Sequence, residues 1–427
     1  MAQPKRCLAG SVLIGQKRLS AAFKVREFRF VWLAELLSLG GDQASRVAVA
    51  IVVYGRTRSA TWAGFSYALT FLPAVVGGVL LSWPADRYRR REVMIAADLA
   101  RAVLVTVMAV PRLPLWALCC LLVSVVLAGA PFTAAQGALL PDVLPGELYP
   151  SGLAVRQVTS QSVQLIGFGA GGLLAAASPA YALLGNAATF LASAALVRIG
   201  VADRLPPDRP VIPAPGQDGT GAGRGGTAAA IAAVVGDPRR RTLMLLAWLV
   251  GWYVVPEALA APYADQLGTG TATVGLLMAA DPLGSVVGVW LFVRLVPDDV
   301  RDRLIGALAV AAGIPLVLCV FRPGLLLTVA LWALSGMAST AYLLQAQASF
   351  VRATPETDRG SAIGVAASGI IAAQGGTVLV GGLLADRWDP ATAVATAGTI
   401  GAVLALGGAV AWRRANRSRT QEVLPAR

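Results

Sequence analysis

Gly77-Gly78-Val79-Leu80-Leu81-Ser82-Trp83-Pro84-Ala85-Asp86-Arg87-Tyr88-Arg89-Arg90-Arg91 decides the fold: an apolar run stops abruptly in one acid and four arginines, and a second apolar run starts at Val93. Arginines are almost never fully buried in a water-soluble core. The junction is natural as a short turn between two membrane helices, where arginines stay in cytoplasmic water and fix orientation. Composition points the same way. The chain of 427 residues is 56% hydrophobic and 14% charged, against roughly 25% charged in a soluble domain. A helical span needs about 20 apolar residues, so twelve spans use about 240.

Working outward from the turn, apolar runs predict spans at about 30–54, 61–82, 93–110, 114–136, 159–179 and 182–199, then 242–261, 272–293, 304–321, 324–348, 361–384 and 391–412. Between the sixes lies 200–241, with Pro206-Pro207, Pro210, Pro213, Pro215 and many glycines. Such a segment is a solvated linker, with room for one short interfacial helix around Ala228–Val235. The organisation expected is a cytoplasmic tail over 1–29, a six-helix bundle over 30–199, a cytoplasmic linker over 200–241, a second bundle over 242–412 and a tail over 413–427.

Lysine and arginine test that topology. With both termini in the cytoplasm, 29 of the 36 fall on the cytoplasmic side. Five fall on the other side, Arg56, Arg58, Arg112, Arg322 and Arg387, while Arg46 and Arg101 lie inside spans. This bias supports an even number of spans in a plasma membrane. The halves also echo each other. Gly171-Gly172-Leu173-Leu174-Ala175 closes the fifth span, and Gly381-Gly382-Leu383-Leu384-Ala385 closes the eleventh, 210 residues on. Parallel six-span repeats are an architecture of secondary transporters.

Exclusions narrow the function. The net charge of +13 sits at the ends of apolar segments and reads as loop charge, with no nucleic-acid partner. The chain has no histidine, so a His-based triad, His metal ligands and a His proton relay are out. Cys7, Cys119, Cys120 and Cys319 show no CxxC spacing, and there is no Walker A pattern. No cofactor or metal is expected, and no enzyme.

With the spans placed, the 77–91 turn resembles that between spans two and three of the major facilitator superfamily, roughly G-x-L-a-D-r-x-G-R-R. Ala85-Asp86-Arg87 and Arg90-Arg91 match, while Ser82, Pro84 and Arg89 replace the first Gly, the Leu and the second Gly. Glu27-Phe28-Arg29-Phe30-Val31-Trp32, Ser38-Leu39-Gly40-Gly41-Asp42 and Ala138-Leu139-Leu140-Pro141-Asp142 resemble the branch of macrolide-efflux and enterobactin exporters. Gly167-Phe168-Gly169-Ala170-Gly171-Gly172 is similar to the fifth-span antiporter motif, with Phe168 where the family has Pro. The resemblance covers about 25–412. It implies twelve spans in two pseudo-symmetric six-helix bundles, alternating access, export, and a cytoplasmic latch in which Asp86 meets the start of span eleven near Ser361.

Charged groups inside spans are costly and are functional candidates by default. Asp42 stands about 18 Å into the first span. Arg46, four residues on, shares its face, and Glu35 is seven back. Asp42 is read either as a protonation site that switches its Arg contact, or as a permanent structural ion pair. Asp281 is the mid-membrane acid of span eight. Glu257 follows Pro256 late in span seven, as an outer gate or an interfacial residue. The proton-coupling candidates are therefore Asp42, Arg46, Asp281 and Glu257. Asp98 and Arg101, three apart on one face of span three, join Asp86, Arg87, Arg90 and Arg91 as a possible inner latch. Gly167, Gly171 and Gly172 allow close helix approach. Trp252, Tyr342, Gln345 and Gln374 suit a mostly apolar cavity with a few polar handles.

The expectation is a monomeric all-α membrane protein, exchanging protons for a small amphipathic molecule such as a drug, antibiotic or natural product. Importing or facilitating a small metabolite is the alternative. A non-transporting sensor ranks below both, because the chain shows no output domain.

Overall fold

In the computed structural model, residues 21–146, 148–204, 225–355 and 358–422 are described, and every regular element among them is helical. Spans 1 to 6 are Arg26–Thr57, Ala60–Ala68 with Leu72–Leu80, Arg90–Met108, Leu115–Val143, Leu148–Ala177 and Pro179–Gly200. Span 7 is three pieces, Pro238–Trp248, Val250–Ala258 and Ala260–Gln266. Spans 8 to 12 are Ala272–Leu295, Asp298–Val317 with a 3₁₀ turn Leu318–Phe321, Leu325–Ala353, Arg359–Arg387 and Pro390–Glu422. Every apolar run thus became a helix or a broken helix. The turn of the opening stretch holds its own short helix, Pro84–Arg87, and the linker contains Gly225–Gly236.

Nine of these helices are long and apolar enough to cross a membrane, and bent span 7 makes a tenth. Spans 3 and 5 are the polar ones. Span 3 carries Arg90, Arg91, Glu92, Asp98 and Arg101, and span 5 carries Gln157, Ser160, Gln161, Ser162 and Gln164. Span 1, at 32 residues, is about 48 Å long, so it overshoots a hydrocarbon core of about 30 Å.

Local sequence sets the ends and breaks. Ser59 caps span 2, its side chain accepting from the Trp62 N–H. Asp237 caps span 7 by accepting from the Arg239 and Arg240 N–H groups, with Pro238 in the first turn. Span 7 bends by 46° at Leu259. Pro256 and Pro262 flank the bend and supply no N–H to the helix. Span 2 breaks at Leu69–Phe71, just before Pro73. The run 61–82 reads as continuous, so this break was not expected.

The chain divides into two compact units. One runs up to Ala48 and resumes from Pro73 to the linker. The other joins Val49–Leu72 to the residues after the linker. The first has a core of Phe28, Met94, Phe132, Leu139, Leu140 and Leu144 among others.

Lipid supplies no hydrophobic drive between helices, so packing depends on close approach at small residues. A Cβ built on Gly167 would lie 2.8 Å from the Gly40 carbonyl oxygen, and one on Gly171 2.5 Å from the Ala44 Cα. Spans 1 and 5 therefore touch backbone to backbone. In the second unit a Cβ on Gly381 would lie 2.5 Å from Val255, bringing span 11 against span 7. The repeated pentapeptide does the same work in both units. Gly171→Val should cost about 1–3 kcal/mol as overpacking, read as a lower unfolding midpoint in detergent. Gly169→Val, whose Cβ meets nothing within 4 Å, should leave that midpoint unchanged.

Candidate functional site

In the first unit, the buried polar groups gather on Arg101. Its guanidinium donates to Asp42 Oδ2 at 2.5 Å, to Ser38 Oγ at 3.0 Å and to Asp98 Oδ1 at 3.3 Å. It also lies 4.0 Å from the centre of the Phe190 ring, a cation–π contact. Asp98 is wholly buried and Arg101 nearly so, while the Asp42 side chain keeps 27% exposure. The i, i+3 spacing of Asp98 and Arg101 does place them on one face, but that face turns to Asp42 and Phe190 inside the unit. They form a buried cluster within the first unit.

A second ion pair lies nearer the start of span 1. Arg156 donates to both oxygens of Glu35, at 2.7 and 3.0 Å through Nε, and to Gln136 Oε1 at 2.8 Å. The turn motif makes its own contacts. Arg90 donates to Asp142 Oδ2 at 2.5 Å and to the Ala138 carbonyl at 2.8 Å. Two stretches singled out separately in the sequence thus meet. Arg89 pairs with Asp203 at 2.5 Å, and Arg91 with Glu92 at 3.2 Å. Asp86 and Arg87 sit exposed on the short turn helix.

In the second unit the acids are arranged differently. Glu257 is 3% exposed and so is buried within the second unit. The Tyr67 hydroxyl of span 2 donates to its Oε2. Glu257 is also close enough to Asp281 for the two carboxyls to interact as like charges. The Ser285 hydroxyl is 3.5 Å from Asp281 Oδ2 and 2.6 Å from Thr340 Oγ1. A Cβ on Gly336 would sit 2.7 Å from Asp281 Oδ1, so span 10 presents bare backbone to this acid. Depth agrees with the pairing. Asp281 is nine residues into span 8 and Glu257 eight residues before Asp265, about 12–14 Å at the helical rise.

Tyr342 and Gln345 are both buried. Tyr342 is completely buried, edge-on to Tyr253 at 6.2 Å. Gln345 donates to Asp302 Oδ1 at 2.7 Å, beside Ser349 and Arg352 on the same carboxylate. Trp252 and Gln374 are half-buried. Among the described residues no group of three or more His, Cys, Asp or Glu could hold a metal ion.

The sequence profile of the Major Facilitator Superfamily matches residues 31–256 and again 249–427, one copy for each half. The chain belongs to the major facilitator superfamily. Its fold is that of solved superfamily transporters. The nucleoside transporter NupG superimposes with a TM-score of 0.69 at 14% identity, over 91% of this chain and 98% of that one. A bacterial homologue of the human lysosomal transporter Spinster gives 0.65 at 16% identity, over 94% and 99%. A bacterial homologue of the iron transporter ferroportin gives 0.63 at 16% identity, over 91% and 98%. No curated protein matches in sequence. This superfamily member is therefore a membrane transporter of small molecules and not an enzyme, with twelve spans in two six-helix repeats.

Proposed function

We propose that this superfamily member is a proton-coupled secondary transporter that exports a small amphipathic molecule, with Glu257 and Asp281 as its proton site. The observation that carries the reading is the contrast between the two units. Asp42 and Asp98 face a guanidinium that compensates their charge. Glu257 and Asp281 are near enough to interact as like charges, with the Tyr67 hydroxyl on Glu257 and the Ser285 hydroxyl beside Asp281. Two carboxyls sharing one low-dielectric site take up a proton between them. A conformational change that parts them, or admits water, lets that proton go. The Asp42–Arg101–Asp98 cluster then holds spans 1 and 3 together while the second unit does the coupling.

An amphipathic substrate is supported by the apolar composition of the spans and the commitment of their polar groups to one another. The export direction rests on the resemblance to macrolide and enterobactin exporters. The test is accumulation of a panel of lipophilic antibiotics in inverted membrane vesicles energised by an inward-acid gradient. Uptake of at least one compound, abolished by a protonophore, is expected. Uptake that persists at full rate with the protonophore would overturn proton coupling, and movement only in right-side-out vesicles would make the chain an importer.

A further inference from the structure

Spans 1 and 2 are joined by a tip, 49–72, that belongs to the second unit while the rest of both spans belongs to the first. The tip is held there by acids on loops and helix ends. Asp386, at the end of span 11, accepts from the Ser59 hydroxyl at 2.5 Å, the Ala60 N–H at 2.6 Å and the Thr61 N–H at 3.0 Å. These are the free donors of the first turn of span 2, where a carboxylate is also favoured by the helix dipole. Asp265, at the end of span 7, accepts from the Tyr54 hydroxyl at 3.0 Å and from Arg58 at 3.1 Å. Below them the helices meet backbone to backbone: a Cβ on Gly64 would lie 2.8 Å from the Val378 carbonyl, and one on Gly382 2.8 Å from that of Ala60.

Two features mark this as a device and not incidental packing. Arg58 takes a left-handed backbone, with φ 51°, which an L residue adopts only at a cost, and its side chain reaches Asp265 from there. Span 2 is also broken at Leu69–Phe71, so its first nine residues can move apart from Leu72–Leu80. A third acid on this face, Asp389, is engaged elsewhere, accepting from Gln266 at 2.8 Å, Thr392 at 2.6 Å and Arg322 at 3.1 Å. Burial pushes its carboxyl up, but the bonds from Thr392 and Gln266 and the charge of Arg322 outweigh that and hold it at about 2. It stays ionised as the fixed cap of span 12.

We propose that Asp386 is the closing residue of a gate on the face where spans 1 and 2 are joined, holding the first turn of span 2 against span 11 and releasing it whenever that face opens. The gate has two working parts, the Asp386 carboxylate on the three donors of the span 2 cap and the Asp265 carboxylate on Tyr54 and Arg58. It does not rest on proton coupling, because a uniporter has to open the same face.

The test uses the full chain with its four cysteines replaced by alanine. In one arm, Ser59→Cys with Asp386→Cys is bridged by a short bifunctional thiol reagent that reductant cleaves. Transport is expected to stop on bridging and to return on reduction. Undiminished transport by fully bridged protein overturns the gate. In the other arm a single cysteine at Ala63, 1% exposed in this state, is labelled with maleimide in purified protein. Asp386→Ala should speed labelling several-fold while the protein stays monodisperse, and an unchanged rate overturns the proposal. Asp386→Glu, which keeps the acceptor, should fall between the two.

Discussion

Asp281→Asn is expected to leave substrate binding and substrate exchange intact and to abolish accumulation against a gradient. The argument begins with shape. Asn replaces one carboxyl oxygen by an amide of the same size, so the Ser285 contact and the close approach of Gly336 persist. What is lost is the ability to bind and release a proton beside Glu257. With one proton coupled per substrate, a gradient of one pH unit supports about a tenfold concentration ratio, because 1.4 kcal/mol is a factor of ten. The variant should reach a ratio of one. Glu257→Gln should do the same, because the site needs both carboxyls. Tyr67→Phe should act more mildly, removing one donor to Glu257 and leaving both acids in place. Accumulation measured at equilibrium, alongside exchange of labelled for unlabelled substrate, separates coupling from binding. Equal loss of both activities would mean that Asp281 binds substrate and does not couple it.

The second large effect concerns stability. Arg101→Met should destabilise the protein by about 3–5 kcal/mol, the usual result of removing one partner of a buried ion pair. Methionine fills much of the volume and can rest on Phe190, so the loss is electrostatic. Asp42 and Asp98 would be left facing each other, Asp98 with no exposure at all. Adding Asp98→Asn in the same chain should recover a large part of the loss, since the uncompensated charge is then gone. Unfolding midpoints of the purified single and double variants read this directly. Equal midpoints for wild type and Arg101→Met would show that the cluster contributes little to holding spans 1 and 3 together.

The fold was legible because most spans are continuous apolar runs and because arginines cluster in the turns between them. Breaks inside spans were harder to read, because proline within a run does not always break it: Pro131 and Pro282 lie inside continuous helices. Pro256 signalled the loosened end of span 7, whereas Pro73, which cannot bond the carbonyl of Leu69 at the break in span 2, was not read as a break. The candidate site was legible in its acids and not in their partners. Helical periodicity pairs Asp42 with Arg46, four residues on, but the bond to Arg101 spans 59 residues of sequence. Tyr67 and Glu257 are separated by 190. No local rule reaches across such distances, because the contact depends on which helices pack. Asp386 was passed over for a related reason. It reads as a loop acid after an apolar run, and its importance lies in three donors at the start of a helix more than 300 residues earlier.

The central claim, that Glu257 and Asp281 carry the coupled proton, is tested most directly by proton flux. Purified protein is placed in vesicles enclosing a pH-sensitive dye, and substrate is added in the absence of any other ion gradient. The account predicts that substrate moves protons in the wild type and in Asp386→Glu, and moves none in Asp281→Asn or Glu257→Gln, although both variants still exchange substrate. Substrate-driven proton movement at the wild-type rate in Asp281→Asn or in Glu257→Gln would contradict it.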